Sequence, residues 1–473
     1  MLKPSAAILA GALFTLGAAV SSNNVLAVNG PRPAMPRLTR TGETGPFWAW
    51  CWSPAAAADK NLVPMVWVTR QTTPQQTAAA TRKLPAGKVA IFLWGGGLPL
   101  LKSPADMCRT PAGKITHFPS PWLRPEAAKI GQRMANFFRR YKAAGGRLNF
   151  LVMDYEAGIN LDWYYVTRNG TVLDHLRAIN ADPRSAALKK QLGFSDLFSV
   201  LHSGKARRLW NALMGQYVAE ALHQAYFQPA KLEFPALRGG NYGDYIMPGN
   251  SQARVAVPNA DGHYRPSWAV AGNVQSPSVY GEIGSLKLRK IGGHAYGCSP
   301  FAILRWKMMR QAIRRSRGLP LVPWVSYKSY YSAYDHQATF GANHYYEELI
   351  YQLALRGADQ FLYWNPGPWD KQKGATPYDN QVLNHCLAVL NKRFGAKPGK
   401  VMPTGRIGWR SDILVAARKT STGKILYRVT VSPGVKAIDV SPGNHHLNLR
   451  GKTGIWVTSK PGERLAFRSA AGP

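Results

Sequence analysis

The chain has 473 residues, 45% of them hydrophobic, which supports a sizeable buried core and excludes global disorder. Lys and Arg number 60 against 24 Asp and Glu, a formal net charge of +36. That excess favours polyanionic partners or a heavily solvated surface, and by itself it selects no ligand. No CxxC, HExxH or EF-hand spacing is present, so neither a metal nor another cofactor is expected.

The N-terminus reads as an export signal. Lys3 is followed by an apolar run from Ala6 to Val20 and by small residues at Val25-Leu26-Ala27. Residues 1–27 are therefore expected to be a signal peptide and 28–44 a Pro-containing leader of a secreted, or otherwise extracytoplasmic, chain. The apolar run is short for a membrane span and no later segment supplies one. In that compartment Cys51, Cys108, Cys298 and Cys386 have three possible pairings into two disulfides.

Phe47 to Trp52 reads as a buried strand, and Val89 to Trp94 as a second, stopped by Gly95-Gly96-Gly97. No GxSxG elbow accompanies those glycines, which excludes a serine hydrolase of that type. A helix from about Arg124 to Ala144 leads into the strand Leu148 to Met153, which ends in Asp154-Tyr155-Glu156. Side chains alternate along a strand, so Asp154 and Glu156 share one face. Two acids so placed repel unless one keeps a proton, and a held proton is what a general acid needs.

An irregular insertion and a helix from about Lys205 to Gln228 follow. Strands are expected near Ala236–Tyr242, Ser276–Tyr280, Pro320–Tyr327 and Gln360–Trp364, with helices at 300–316, 343–356 and 379–393. Lys307, Arg310 and Arg314 read as a solvated helix face. Alternating strands and helices over roughly 350 residues predict an α/β fold, a (β/α)7–8 TIM-like barrel across 45–394. Barrel active sites lie at the C-terminal ends of the strands, where Asp154, Glu156, Tyr242, Tyr280, Tyr327 and Trp364 all fall. Several aromatics beside one acid pair form the pattern of a sugar-binding cleft. Residues 395–405 are rich in Gly, Pro and Lys and read as a linker. Residues 406–473 read as a small, basic, β-sandwich-like all-β module packed on the barrel.

With these pieces placed, the chain resembles the hyaluronidases of glycoside hydrolase family 56. Pro46-Phe47-Trp48-Ala49-Trp50-Cys51-Trp52-Ser53-Pro54 is similar to that family's first strand, and Val89-Ala90-Ile91-Phe92 to its second. Asp154-Tyr155-Glu156 stands where the family has Asp-Trp-Glu. Gly240-Asn241-Tyr242, Pro277-Ser278-Val279-Tyr280 and Gly357-Ala358-Asp359-Gln360-Phe361-Leu362-Tyr363-Trp364 resemble later strands, in the same order. The resemblance implies a retaining, substrate-assisted endo-β-N-acetylhexosaminidase acting on an acidic polysaccharide. Glu156 would be the acid/base and Asp154 its partner. Tyr242, Tyr280 and Trp364 would hold the 2-acetamido sugar, with Tyr327 a further cleft candidate. It also implies a bridge from Cys386 to Cys51, with Cys108 as the other candidate partner.

The chain departs from the family at Ala157-Gly158-Ile159-Asn160, where a Trp-Arg-Pro segment is usual, and at Trp94-Gly95-Gly96-Gly97, which lacks an Asp-Arg. Two other readings stay open. One is a glycosidase using two protein carboxylates, Glu156 with Glu282 or Asp244. The other is a barrel that binds an anionic glycan without turnover. Nucleic acid is not an expected partner, since no recognition motif accompanies the charge.

Overall fold

The computed structural model describes residues 45–52, 61–93, 103–120, 122–123, 125–154, 171–193, 195–196, 219–241, 256–258, 264–266, 271–277, 279, 290–291, 294–295, 300–310, 319–326, 344–364, 377–408, 410–443 and 445–470. Contacts divide the chain after Arg37, and all of the described residues belong to the unit Leu38–Pro473. That unit is a mixed α/β fold with parallel strands, followed by antiparallel all-β sheets.

In chain order the first half contains β1 (Trp48–Cys51), β2 (Leu62–Pro64), β3 (Val66–Val68), α1 (Pro74–Arg82), β4 (Ala90–Leu93), β5 (Met107–Arg109), β6 (Ile115–Pro119), α2 (Pro125–Ala143) and β7 (Phe150–Met153). Helices α3 (Thr171–Ala181) and α4 (Ala186–Leu192) follow, then a π-turn at His223–Phe227 running into α5 (Gln228–Glu233), and β8 (Arg238–Asn241). The hairpins β9 (Ala256–Pro258) with β10 (Tyr264–Pro266), and β11 (Lys290–Ile291) with β12 (His294–Ala295), precede α6 (Pro300–Arg310). Next come β13 (Trp324–Val325), α7 (His344–Leu355), β14 (Gln360–Tyr363) and α8 (Pro377–Phe394).

All of the strands in the two main sheets are parallel, in the orders β13-β14-β1-β2 and β3-β4-β7-β8. Only Met65 separates β2 from β3, so one stretch of chain serves both sheets. On the far side, Asn273 N–H donates to Gly239 O of β8 at 2.9 Å. Residues Gln275 and Pro277 in turn bond to 320–324 through Gln275 N to Pro320 O (2.8 Å) and Trp324 N to Pro277 O (2.8 Å). A methyl at Gly272 would collide with the Gly239 backbone, so this close approach requires glycine.

Alternation sorts the side chains into two layers. Trp48, Trp50, Met65, Phe92, Phe150, Val152, Val322, Trp324 and Leu362 pack with one another inside the array. Ile91, Leu93, Leu151 and Met153 face outward onto Ile130, Phe138 and Tyr141 of α2 and Tyr226 of the π-turn. Burying such side chains stabilises the fold by about 1.5–3 kcal/mol each. The helices start and stop on local chemistry. Thr73 and Gln76 form a reciprocal capping box before Pro74 at the start of α1. After α2, Gly145 adopts φ 81°, which lets Gly146 N–H bond back to Tyr141 O and end the helix.

Several expectations change. A strand pair and a helix at 62–82 stand between the two strands expected to be consecutive. The insertion expected to be irregular contains α3 and α4. Lys307 is 3% exposed, so it lies in the core rather than on a solvated face. Within 395–405, Val401–Met402 (β15) already pairs with Ala417–Arg418.

The C-terminal sheets comprise β15, β16 (Ile413–Lys419), β17 (Ile425–Val431), β18 (Ala437–Ser441), β19 (His445–Asn448), β20 (Gly454–Thr458) and β21 (Ala466–Ser469), ordered β15-β16-β17-β20 and β19-β18-β21. They are bound to α7 by buried polar groups. Arg428 pairs with Glu348 through two guanidinium nitrogens, one at 2.9 Å, and Thr430 Oγ1 donates to Glu348 Oε2 at 2.6 Å. Tyr345 OH donates to Val431 O at 3.1 Å, and Gln352 Nε2 lies 3.0 Å from Thr430 Oγ1. Arg418 donates to Ala354 O at 2.9 Å and forms an ion pair with Asp359 at 2.6 Å.

Candidate active site

Asp154 is the one member of the predicted acid pair within the described residues. It is 7% exposed and follows the last residue of β7, its N–H donating to Leu93 O at 3.1 Å. Continuing the alternation of Phe150 and Val152 puts Asp154 on the interior face of the array. Asp154 is thus a buried carboxylate at the C-terminal ends of the parallel strands.

Trp364 follows β14 at the same end of the strands, half-buried, with its N–H donating to Val325 O at 3.0 Å. Its ring lies 3.9 Å from that of Trp52, between centroids, and Trp52 in turn meets Trp67 at 4.2 Å and Phe92 at 4.4 Å. Trp67 Nε1 donates to Trp52 O at 3.1 Å. Four aromatic rings drawn from β1, β3, β4 and β14 therefore form one platform, with Trp52 buried beneath the half-buried Trp67 and Trp364. Flat apolar rings of this kind suit the C–H faces of a pyranose. Ser326, after β13, is also buried at this end.

Trp52 and Trp67 were not among the sequence-derived candidates. The signal for Trp52 was available, because Trp48, Trp50 and Trp52 recur with period two and so share one face. Glu156, Tyr242, Tyr280, Tyr327, Glu282, Asp244 and Cys298 lie outside the described residues. Of the predicted set, the structure brings Asp154 and Trp364 to one end of the parallel strands.

The cysteine expectation is corrected. Among the described residues no disulfide joins Cys51, Cys108 or Cys386, all of which are buried. Cys386 receives a hydrogen bond from the Tyr351 hydroxyl, and burial raises its pKa well above that of an ordinary thiol. The Cys108 thiol is pushed up to about 12, first by burial and then by the charge of Asp182. Such groups are poor nucleophiles.

No protein-family model matches the chain, and no curated protein is significantly similar to it. Among solved structures, the endo-β1,6-glucanase BT3312 aligns over 76% of this chain and 67% of its own, at 11% identity and TM-score 0.32. SrfJ from Salmonella typhimurium aligns over 82% and 70%, at 11% identity and TM-score 0.34. A glycoside hydrolase family 5 protein from Bacteroides vulgatus aligns over 88% and 86%, at 9% identity and TM-score 0.33. Likenesses this loose carry no argument about chemistry, which rests on the chain's own residues.

Proposed function

We propose that the chain is a glycoside hydrolase built on a closed (β/α) barrel. The observation that carries this reading is the buried Asp154 at the same strand ends as the Trp52–Trp67–Trp364 platform. Closure of the barrel is supported by the parallel sheets β13-β14-β1-β2 and β3-β4-β7-β8, by the direct continuation of β2 into β3 across Met65, by the parallel bridges Gln275–Leu321 and Leu321–Ala358, and by the bond from Asn273 N–H to Gly239 O of β8.

In this reading Glu156, two residues beyond Asp154, is the general acid that protonates the leaving glycosidic oxygen. Asp154 sets its protonation. The substrate is an acidic polysaccharide containing a 2-acetamido sugar, whose carbonyl oxygen attacks the anomeric carbon as the glycosidic bond breaks. Glu156 then takes a proton from the water that opens the cyclic intermediate, so the configuration is retained. Tyr242, Tyr280 and Tyr327 orient the acetamido group, and Trp364 packs against the sugar. In this reading residues 1–27 are an export signal and the enzyme acts outside the cytoplasm.

The test is reducing-end release from hyaluronan and chondroitin by the wild type and by Glu156→Gln. General acid catalysis of this kind contributes roughly 10²–10⁴-fold, and a loss of that size is expected. Equal release by the two proteins would remove Glu156 from the acid role.

A further inference from the structure

The parallel register places the starts of all the main strands at one end of the array, opposite Asp154 and Trp364. The segments feeding those strands therefore share that end. They include the last turns of α1, α2 and α5, and α8 reaches it too, since Asn391 bonds the backbone of Phe47 just before β1. Lys83, Arg140 and Lys392 are exposed there.

The antiparallel module continues the same surface. Leu426 pairs with Thr458, so the β16–β17 turn and the β20–β21 loop lie at one end of their sheet. That end touches the array's: a Cβ on Gly395 would lie 3.3 Å from Ser421 Oγ, and Gly399 N–H bonds Lys419 O at 3.0 Å. Lys400, Lys424 and Lys460 are exposed on it.

The acids found there among the described residues are already committed. Glu233 has Arg139 and Lys142 at 3.8 and 3.7 Å, Asp359 has Arg418 at 2.6 Å, and Glu463 accepts from Lys460 N–H at 3.1 Å. Cations at helix C-termini complement the helix dipole, which accounts for one residue per helix. It does not account for the lysines of the module's turns.

We propose that this continuous basic face holds an anionic polysaccharide, at a surface separate from the candidate active site. Among the described residues the exposed large apolar side chains are Ile115 and Leu232 alone. Of these only Leu232, in the last turn of α5, belongs to this face; one leucine gives neither a platform for base stacking nor an apolar face broad enough for bilayer insertion. What it offers is charge spread over several loops, which suits a flexible, hydroxylated, charged chain. This inference does not depend on the catalytic reading, because a polymer bound there leaves the strands' C-terminal ends open.

The experiment measures binding of the full chain to immobilised chondroitin sulfate, with duplex DNA and phosphatidylserine vesicles as the other arms. Lys83→Glu with Lys424→Glu is compared with a control of equal charge change, Lys114→Glu with Lys190→Glu, outside this face. The face variant is expected to lose roughly tenfold in affinity and the control less than about twofold. Wild-type affinity should fall steeply as salt rises. Equal losses in the two variants would reduce the effect to net charge and overturn the proposal. So would salt-independent binding, or binding to DNA or vesicles without binding to chondroitin sulfate.

Discussion

Arg428→Met tests how the C-terminal module is joined to the rest of the unit. Arg428 is 7% exposed and Glu348 1% exposed, and the guanidinium lies 4.9 Å from the ring centroids of both Tyr351 and Trp456. Removing the cation leaves the Glu348 carboxylate buried with Thr430 as its remaining described donor. Breaking one partner of such a pair costs about 3–5 kcal/mol, and the lost cation–π contacts are part of that loss. Replacing both partners, Arg428→Met with Glu348→Leu, removes the orphaned charge and should return stability to within about 1 kcal/mol of wild type. Denaturant unfolding followed by tryptophan fluorescence and circular dichroism gives the four free energies of the cycle. The expected coupling is at least about 2 kcal/mol. A single variant costing under about 1 kcal/mol, or a double variant as unstable as the sum of the singles, would refute the idea that this pair holds the module.

Burial, with the Glu348 charge beside it, pushes Glu347 up to about 7 from an ordinary 4.5. The folded protein therefore binds the proton more tightly than the unfolded chain, and stability falls as pH rises from about 5 to 8. Glu347→Gln should remove about 2 kcal/mol of that dependence after allowance for partial exposure, read as the pH profile of the wild-type minus variant difference. Asn391 Oδ1 accepts from Phe47 N–H at 2.9 Å and its Nδ2 donates to Phe47 O at 3.0 Å, which ties α8 to the start of β1. Asn391→Ala should cost about 2 kcal/mol in unfolding free energy, and an unchanged value would mean that solvent replaces both bonds. Gly454→Ala would press a methyl group onto the Glu348 carboxylate, so a melting temperature lower by several degrees is expected.

The acid motif was legible because alternation along a strand needs no tertiary information. Phe150, Val152 and Asp154 share a face whatever packs against them. The helix expected from about Arg124 to Ala144 was legible too, and α2 occupies Pro125–Ala143. The strands at 62–68 were not, because Pro64 sits inside the run and argues against a central strand. The structure resolves this by changing partners at Met65: β2 pairs with β1 and β3 with β4, so the proline falls at the end of one pairing. The His445–Asn448 strand carries almost no apolar signal, since three of its four residues face solvent. Trp67 needed the fold, because only the meeting of β1 and β3 brings it to Trp52. The burial of Lys307 was equally a tertiary fact.

The clasp on α7 has a consequence for how this chain can be divided. Residues 344–364 run without interruption from the helix gripped by the module, through Asp359, into β14 and out to Trp364. One end of that run is fixed by Arg428 and Arg418, and the other presents an indole to the candidate active site. Cutting the chain at 395–405 would expose Glu348, Gln352 and Tyr345 to water and release the helix that sets the height of β14. The two halves are thus a single inherited part: the C-terminal sheets cannot be exchanged like a detachable binding tag without retuning the platform at the opposite end.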